Sequence, residues 1–412
     1  MNVFRVSSRA ARLSPTAVNR VLDEVRQYQA GGRTAVSLMR GQPDSPTPLH
    51  IVEAAERALR AGRTGYPDNQ GEPALRQAVA EKLRRDQRLS YDPASEILIT
   101  DGATCGIALA LGAILEPGDE VLLPDPIYDA YSSPIALFGG RAVGVPSSVI
   151  DGRFTLDRSA LEAACSPRTR ALLLNHPWNP VGTVFTPDEL REIVDFVAQH
   201  DLLLISDEIY ESLIYDGRRH VSPATLSDAR SRTVVVNSLS KTYAMTGWRV
   251  GYCVAPSELT RAMLLLLQQF SRGPATFVQD AAVWALQSSQ DCVSQMATEY
   301  QSRRDLVVRR LQGIEGVRPL VPDGGLFVMV DLRELRGDTA CPRFTSDAVR
   351  RFLLQQHGVV VLHGGAYGPG GEGMLRVSFA AGGQTLERGL ELLREGLCQV
   401  ANSRWRAEAD RL

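Results

Sequence analysis

No two of the six cysteines (Cys105, Cys165, Cys253, Cys292, Cys341, Cys398) share the Cys-x-x-Cys spacing of a redox or zinc site. They read as reduced thiols among apolar neighbours. The six histidines do not cluster either, so a metal centre is not expected. Long apolar runs are missing. Stretches such as Leu202-Leu203-Leu204-Ile205 are too short to span a bilayer. Neither charge sign dominates: 45 basic residues against 47 acidic ones leave a net charge of -2, which removes the basis for a nucleic-acid or anionic-membrane partner. There is no internal repeat and no low-complexity linker. Arg5, Arg9 and Arg12 precede the first acid, Asp23, as in a transit peptide, but no apolar core of a secretory signal accompanies them. A cytoplasmic chain acting on small molecules is the expectation.

What is present is a regular alternation. The chain has 412 residues, 44% of them apolar, enough for two domains with a substantial core. Short buried-strand patterns stand at 97–99, 121–123, 171–174, 202–205, 233–236 and 250–254, apolar on both faces as in a sheet covered by helices. Thr186, Pro187 and Glu189 spell a capping box, followed by an apolar face at Leu190, Ile193, Val194 and Val197. This alternation predicts an α/β fold with a mostly parallel central sheet sandwiched by helices. The ends differ: a helix from Ala17 to Gln29, and long charged helices with short strands at 326–330 and 374–377. They predict a smaller α+β domain built from both chain ends. The division is an arm at 1–45, a large domain at 46–285 and a small domain at 286–412.

The chemistry centres on Ser238-Leu239-Ser240-Lys241, which follows the β-branched run Val234-Val235-Val236 and precedes Arg249. A lysine amine forms Schiff bases with carbonyl compounds, pyridoxal phosphate among them, and hydroxyls with a guanidinium suit that cofactor's phosphate. Ligands of open α/β sheets gather outside the carboxyl ends of the strands. One strand ends at Gly102-Ala103-Thr104, either an anion-binding helix start or an ordinary turn. Another ends at Asp207-Glu208-Ile209-Tyr210, where Asp207 suits a protonated pyridine nitrogen and Tyr210 a ring oxygen. Tyr128 is either a ring-stacking aromatic or core. The turn His176-Pro177-Trp178-Asn179 can fix the Asn179 amide against a flat ligand. Trp178 either packs on the sheet or lines a pocket, where it favours an apolar or aromatic substrate. Arg376, inside Met374-Leu375-Arg376-Val377-Ser378, is either a carboxylate clamp or an edge-strand residue facing water.

With Gly41-Gln42-Pro43-Asp44, Tyr66, Gly71, Leu75-Arg76, Asn179-Pro180-Val181-Gly182 and Gly247-Trp248-Arg249 in this order, the chain resembles the fold-type I, pyridoxal-phosphate-dependent class I/II aminotransferases from about residue 12 to about 396. The resemblance implies that Lys241 is the Schiff-base lysine and proton shuttle and that Asp207 is the pyridinium partner. It implies that Asn179 and Tyr210 meet the ring's phenolic oxygen while Tyr128 stacks on the ring. Gly102, Ala103, Thr104, Ser238 and Arg249 would form the phosphate cradle. Tyr66 would reach the neighbouring subunit's phosphate, hence a homodimer with shared sites. Arg376 would clamp the α-carboxylate, with Gly41 and Asn179 beside the substrate.

The activity so implied is transfer of an amino group from an L-amino acid to a 2-oxo acid, in ping-pong fashion. The same fold hosts carbon–sulfur lyases and cyclising or oxidising enzymes, which remain the alternative. A cofactor-binding regulator would need a basic recognition segment, and none is seen. The run Gly364-Gly365-Ala366-Tyr367-Gly368 lacks the helix and acid of a dinucleotide site. Thr104 stands where some aspartate-specific members carry a lysine, which argues against an aspartate assignment.

Overall fold

Seven strands form the main sheet, in the spatial order Ile97–Thr100, Gly251–Val254, Thr233–Ser238, Leu203–Asp207, Thr169–Asn175, Glu120–Asp125 and Arg141–Pro146. Gly251–Val254 runs antiparallel to both neighbours and the remaining pairs are parallel. This computed structural model describes residues 6–11, 13–226, 229–336 and 344–402. Arg5, Arg12 and Cys341, singled out above, lie outside the described residues.

Successive strand residues point to opposite faces, and both faces are covered. Leu98, Val121, Leu123, Leu173, Ile205 and Val236 pack with helices Ala103–Ile114 and Ser257–Phe270. Leu122, Leu172, Leu174 and Leu204 face helix Pro187–Gln199, and Ile97, Ile99, Val235 and Val254 face the helices Leu49–Arg60, Pro73–Gln87 and Thr276–Gln287. This is why the strands read as unbroken apolar runs. Arg141–Pro146, not foreseen from the sequence, is one of the two edge strands, and most of its residues are exposed or half-buried.

The capping box at Thr186 is formed: Glu189 N–H donates to Thr186 Oγ1 at 3.2 Å, and Thr186 N–H donates to Glu189 Oε2 at 2.7 Å.

The chain's two ends meet. Val36–Ser37 pairs in parallel with Val359–Val360. A second, antiparallel sheet has the order Arg318–Leu320, Phe327–Asp331, Met374–Ser378, Leu362–His363. Helices Asp291–Leu311, Ser346–His357 and Gly383–Ala401 pack on it around Phe352, Leu390 and Leu393. Helix Ala17–Ala30 is tied to this part by Glu24, which accepts from Arg350 Nη1 at 2.8 Å. The carboxyl ends of the large sheet's strands therefore open towards a wall made from the small sheet and the N-terminal helix. Among the described residues no helix is long and apolar enough to cross a membrane.

Thr186→Ala removes one acceptor from the helix start and should lower unfolding free energy by about 1 kcal/mol. The measurement is urea denaturation followed by far-UV circular dichroism, and an unchanged midpoint would show that the box carries no stability.

Candidate active site

Five strand ends and the strap at residues 39–41 line a cavity of about 380 Å³. Asn175 and Asp207 end adjacent parallel strands and are paired in register. Asn175 Nδ2 donates to Asp207 O at 2.9 Å, and its Oδ1 accepts from Asn179 N–H at 2.7 Å. The turn predicted to fix Asn179 is thus held by the side chain at its own start.

Asp207 is buried at the cavity floor. Tyr131 Oη donates to its Oδ2 at 2.5 Å and Ile209 N–H to its Oδ1 at 3.2 Å. Burial pushes its carboxyl up to about 6, against the lowering pull of Tyr131. Tyr131 was not foreseen. Its signal was only the spacing Tyr128-Asp-Ala-Tyr131, and the two rings meet edge-on at 5.3 Å. Tyr128, Tyr131 and Tyr210 all line the cavity. Burial raises the Tyr210 hydroxyl pKa well above the ordinary range.

Lys241 lies in the short helix Leu239–Thr242 that caps the strand Thr233–Ser238. Its Nζ donates to Gly41 O at 2.6 Å. Burial, then the positive charges of Arg376 and Arg249, bring its pKa down to about 8, with Asp207 opposing. A substantial fraction of this amine is therefore neutral near physiological pH, as a nucleophile or base must be.

Arg249 sits in a left-handed conformation (φ 53°), which spreads its guanidinium across the start of helix Ala103–Ile114. Its Nη1 donates to Thr246 O at 2.9 Å and its Nη2 to Asp101 O at 3.0 Å. Gly102, at φ +86°, leaves room for it: a Cβ there would come 2.6 Å from Arg249 Nη2. Ala103, Thr104, Ser240, Thr246 and Arg249 line this end of the cavity. Ser240 lines this end and Ser238 stands directly behind it, the two hydroxyls bonded to each other at 2.8 Å. Ser238 Oγ is turned into the backbone, donating to Val250 O at 2.8 Å and accepting from Ser240 N–H at 3.1 Å. Gly102 likewise shapes the cradle from behind without lining the cavity.

Arg376 stands at the opposite end. Its central place in the small sheet, paired with Met329 and Leu362, buries it. The edge-strand alternative is therefore set aside. Nη2 donates to Met39 O at 2.7 Å and Nη1 to Asn179 Oδ1 at 3.3 Å. The guanidinium lies 3.8 Å from the Phe327 ring centroid and 4.9 Å from that of Tyr367. Its Nε is buried without a partner, and no carboxylate pairs with it among the described residues. A buried cation in this state has capacity for an incoming anion.

Two further candidates are placed elsewhere. Trp178 is buried in the sheet's flank, donating from Nε1 to Pro126 O at 2.7 Å and stacking on Phe185, so it does not line the cavity. The preference for apolar substrates that a lining tryptophan would have brought is removed with it. Tyr66 is 91% exposed and lies outside the cavity of its own chain. Behind the floor, Glu208, Glu211 and His220 bring ligand-type atoms within 4.8 Å of one another, but the Lys82 ammonium already pairs with Glu211 there.

Removal of Arg376's charge should raise the pKa of Lys241. In cofactor-free protein, amine labelling by trinitrobenzenesulfonate at that lysine should be half-maximal near pH 8, and at higher pH in Arg376→Met. An unchanged or lower midpoint in the variant contradicts the electrostatic account.

The model of the family "Aminotransferase class I and II" matches residues 33–392. An aspartate aminotransferase of Pyrococcus abyssi is 37% identical over 95% of this chain and 98% of its own. An arginine–pyruvate transaminase of Pseudomonas aeruginosa is 40% identical, covering 86% and 88%. Among solved structures, the aspartate aminotransferase of Rhizobium meliloti superposes with a TM-score of 0.90 at 33% identity, over 96% and 99% of the two chains. An aromatic aminotransferase of Pyrococcus horikoshii gives 0.84 at 38%, over 92% and 99%. With its lysine, acid and unpaired arginine gathered in one cavity of this fold, the chain belongs to the class I and II aminotransferases and is a transaminase.

Proposed function

We propose that the cavity holds pyridoxal 5'-phosphate with its phosphate at Ala103, Thr104, Ser240 and Arg249, its ring nitrogen at Asp207 and its face on Tyr128. The fit rests on three observations: a cradle kept open by Gly102, a buried carboxylate at the floor, and a lysine amine with a lowered pKa between them. Bound there, the cofactor supplies an aldehyde that condenses with amines and a cationic ring that takes up the electrons of a carbanion.

The chain's own groups do the rest. Arg376, with Asn179 beside it, grips the α-carboxylate of an L-amino acid and orients its α-carbon. The neutral Lys241 Nζ takes the α-proton and returns it. Asp207, held in place by Tyr131 and the Ile209 amide, keeps the ring nitrogen protonated, and Asn179 and Tyr210 direct their polar ends to the ring oxygen. A 2-oxo acid then enters the same grip and accepts the amino group, so the kinetics are ping-pong. The single observation carrying this reading is Arg376, a buried guanidinium with an orphaned Nε, sharing one cavity with Lys241.

The relatives named above are transaminases, and nothing in them favours the lyase alternative. The proposal extends to a cytoplasmic homodimer in which Tyr66 serves the partner's cavity, supported by its exposure outside its own. The division at 1–45, 46–285 and 286–412 belongs to the same proposal.

The test is a panel of amino donors with pyruvate, 2-oxoglutarate or oxaloacetate, with products identified by mass. Keto acid and new amino acid should form in equal amounts; ammonia released without an acceptor would overturn the reading. Lys241→Ala should abolish transfer. Arg376→Ala should raise the KM for L-amino acids by about 100-fold while changing that for simple amines far less. Equal effects on both would argue against the clamp.

A further inference from the structure

Met39, Arg40 and Gly41 cross the substrate end of the cavity as a strap whose three successive carbonyls are all taken. Met39 O accepts from Arg376 Nη2 at 2.7 Å, Arg40 O from Ser378 Oγ at 2.6 Å, and Gly41 O from Lys241 Nζ at 2.6 Å. The backbone at position 40 is thereby fixed against the α-carboxylate clamp. The Arg40 side chain is not: it lines the cavity, is exposed, and its guanidinium makes no hydrogen bond or ion pair among the described residues.

Five charged residues line the cavity: Arg40, Asp207, Lys241, Arg249 and Arg376. On the transaminase reading given above, four have duties at the cofactor or the α-carboxylate. Arg40 has none. Its flanking residues Met39 and Gly41 are held by Arg376 and Lys241, so position 40 belongs to the α-carboxylate end of the cavity and not to the phosphate end at Ala103 and Arg249. The lining residues Val18, Leu22, Met39, Ala130 and Pro134 carry no charge, and the only lining acid, Asp207, is committed at the floor to Tyr131 and the Ile209 amide. A cationic substrate side chain would find no partner here, and would meet a like charge.

We infer that Arg40 is a specificity-determining residue that pairs with a distal carboxylate on the substrate, so that dicarboxylic amino acids and their 2-oxo acids are the preferred class. Thr104 supplies no charge for this purpose; the strap does so from another element. A planar guanidinium can take a carboxylate with two parallel hydrogen bonds.

The experiment compares isosteric pairs in the holoenzyme: L-glutamate against L-glutamine and L-aspartate against L-asparagine, for wild type, Arg40→Met and Arg40→Lys. Wild type should prefer the acid of each pair by about tenfold or more in kcat/KM. Arg40→Met should bring that ratio to near one by losing the acids alone, and Arg40→Lys should restore part of it. Binding of glutarate, followed by the change in cofactor absorbance, should weaken about tenfold in Arg40→Met while butyrate is unaffected. This second readout needs no turnover, so it tests Arg40 even if the transaminase reading fails, and that failure would show separately as no keto acid from any donor. A ratio that survives in Arg40→Met, an equal loss on acid and amide, or a wild-type preference for the amides, for L-arginine or for O-phospho-L-serine would each overturn the inference.

Discussion

The active-site geometry depends on a guanidinium buried without its counter-ion. Arg376 is 2% exposed in the middle of a sheet, a costly place for a charge unless something meets it. The protein meets it in part, with one carbonyl, one amide oxygen and two aromatic faces. All are neutral, so the charge is stabilised and not cancelled. Its field reaches Lys241, where, after burial, it is the largest influence holding the amine near pH 8. One uncompensated charge thus both leaves capacity for an anion and raises the share of the amine that is free of its proton.

The floor uses the opposite arrangement. Asp207 is an acid whose burial pushes its pKa up to about 6, and the Tyr131 hydroxyl and the Ile209 amide counteract that burial. Adjacent Glu208 is buried as deeply, yet His220, Ser222 and Ser206 all bond to it and hold it below its ordinary value. Two neighbouring carboxylates on one strand end are thus driven apart electrostatically, one satisfied inside the protein and the other facing the cavity.

Much of the architecture was legible because the main strands are buried on both faces. Leu172 and Leu173 point to different cores, and only an all-apolar run serves both. The edge strand Arg141–Pro146 escaped because exposure on its outer side mixes its residues. In the site, Lys241, Asp207, Asn179, Arg249 and Arg376 were visible through residue types unusual at the ends of apolar strands or inside one. Tyr131 was not, since its partner is 76 positions away and only folding brings them together. Ser238 was placed in the phosphate cradle and Ser240 was not; at the strand-to-helix junction Ser240 lines the cavity, while Ser238 Oγ bonds Val250 O and the Ser240 hydroxyl. Trp178 gave an ambiguous signal that Pro126 O and Phe185 resolve in favour of packing. Arg40 was not singled out, because nothing local reveals that the strap brings it to the cavity that also holds Lys241, 201 positions away.

The strap also sets how tightly anything else can bind. Arg376 Nη2 and Lys241 Nζ donate to Met39 O and Gly41 O. Any visitor seeking those donors competes with carbonyls of the chain itself, already in place at an effective concentration no dissolved solute matches. A partner carrying full negative charge, or one forming a covalent bond to the amine, is the kind best able to displace a neutral internal rival.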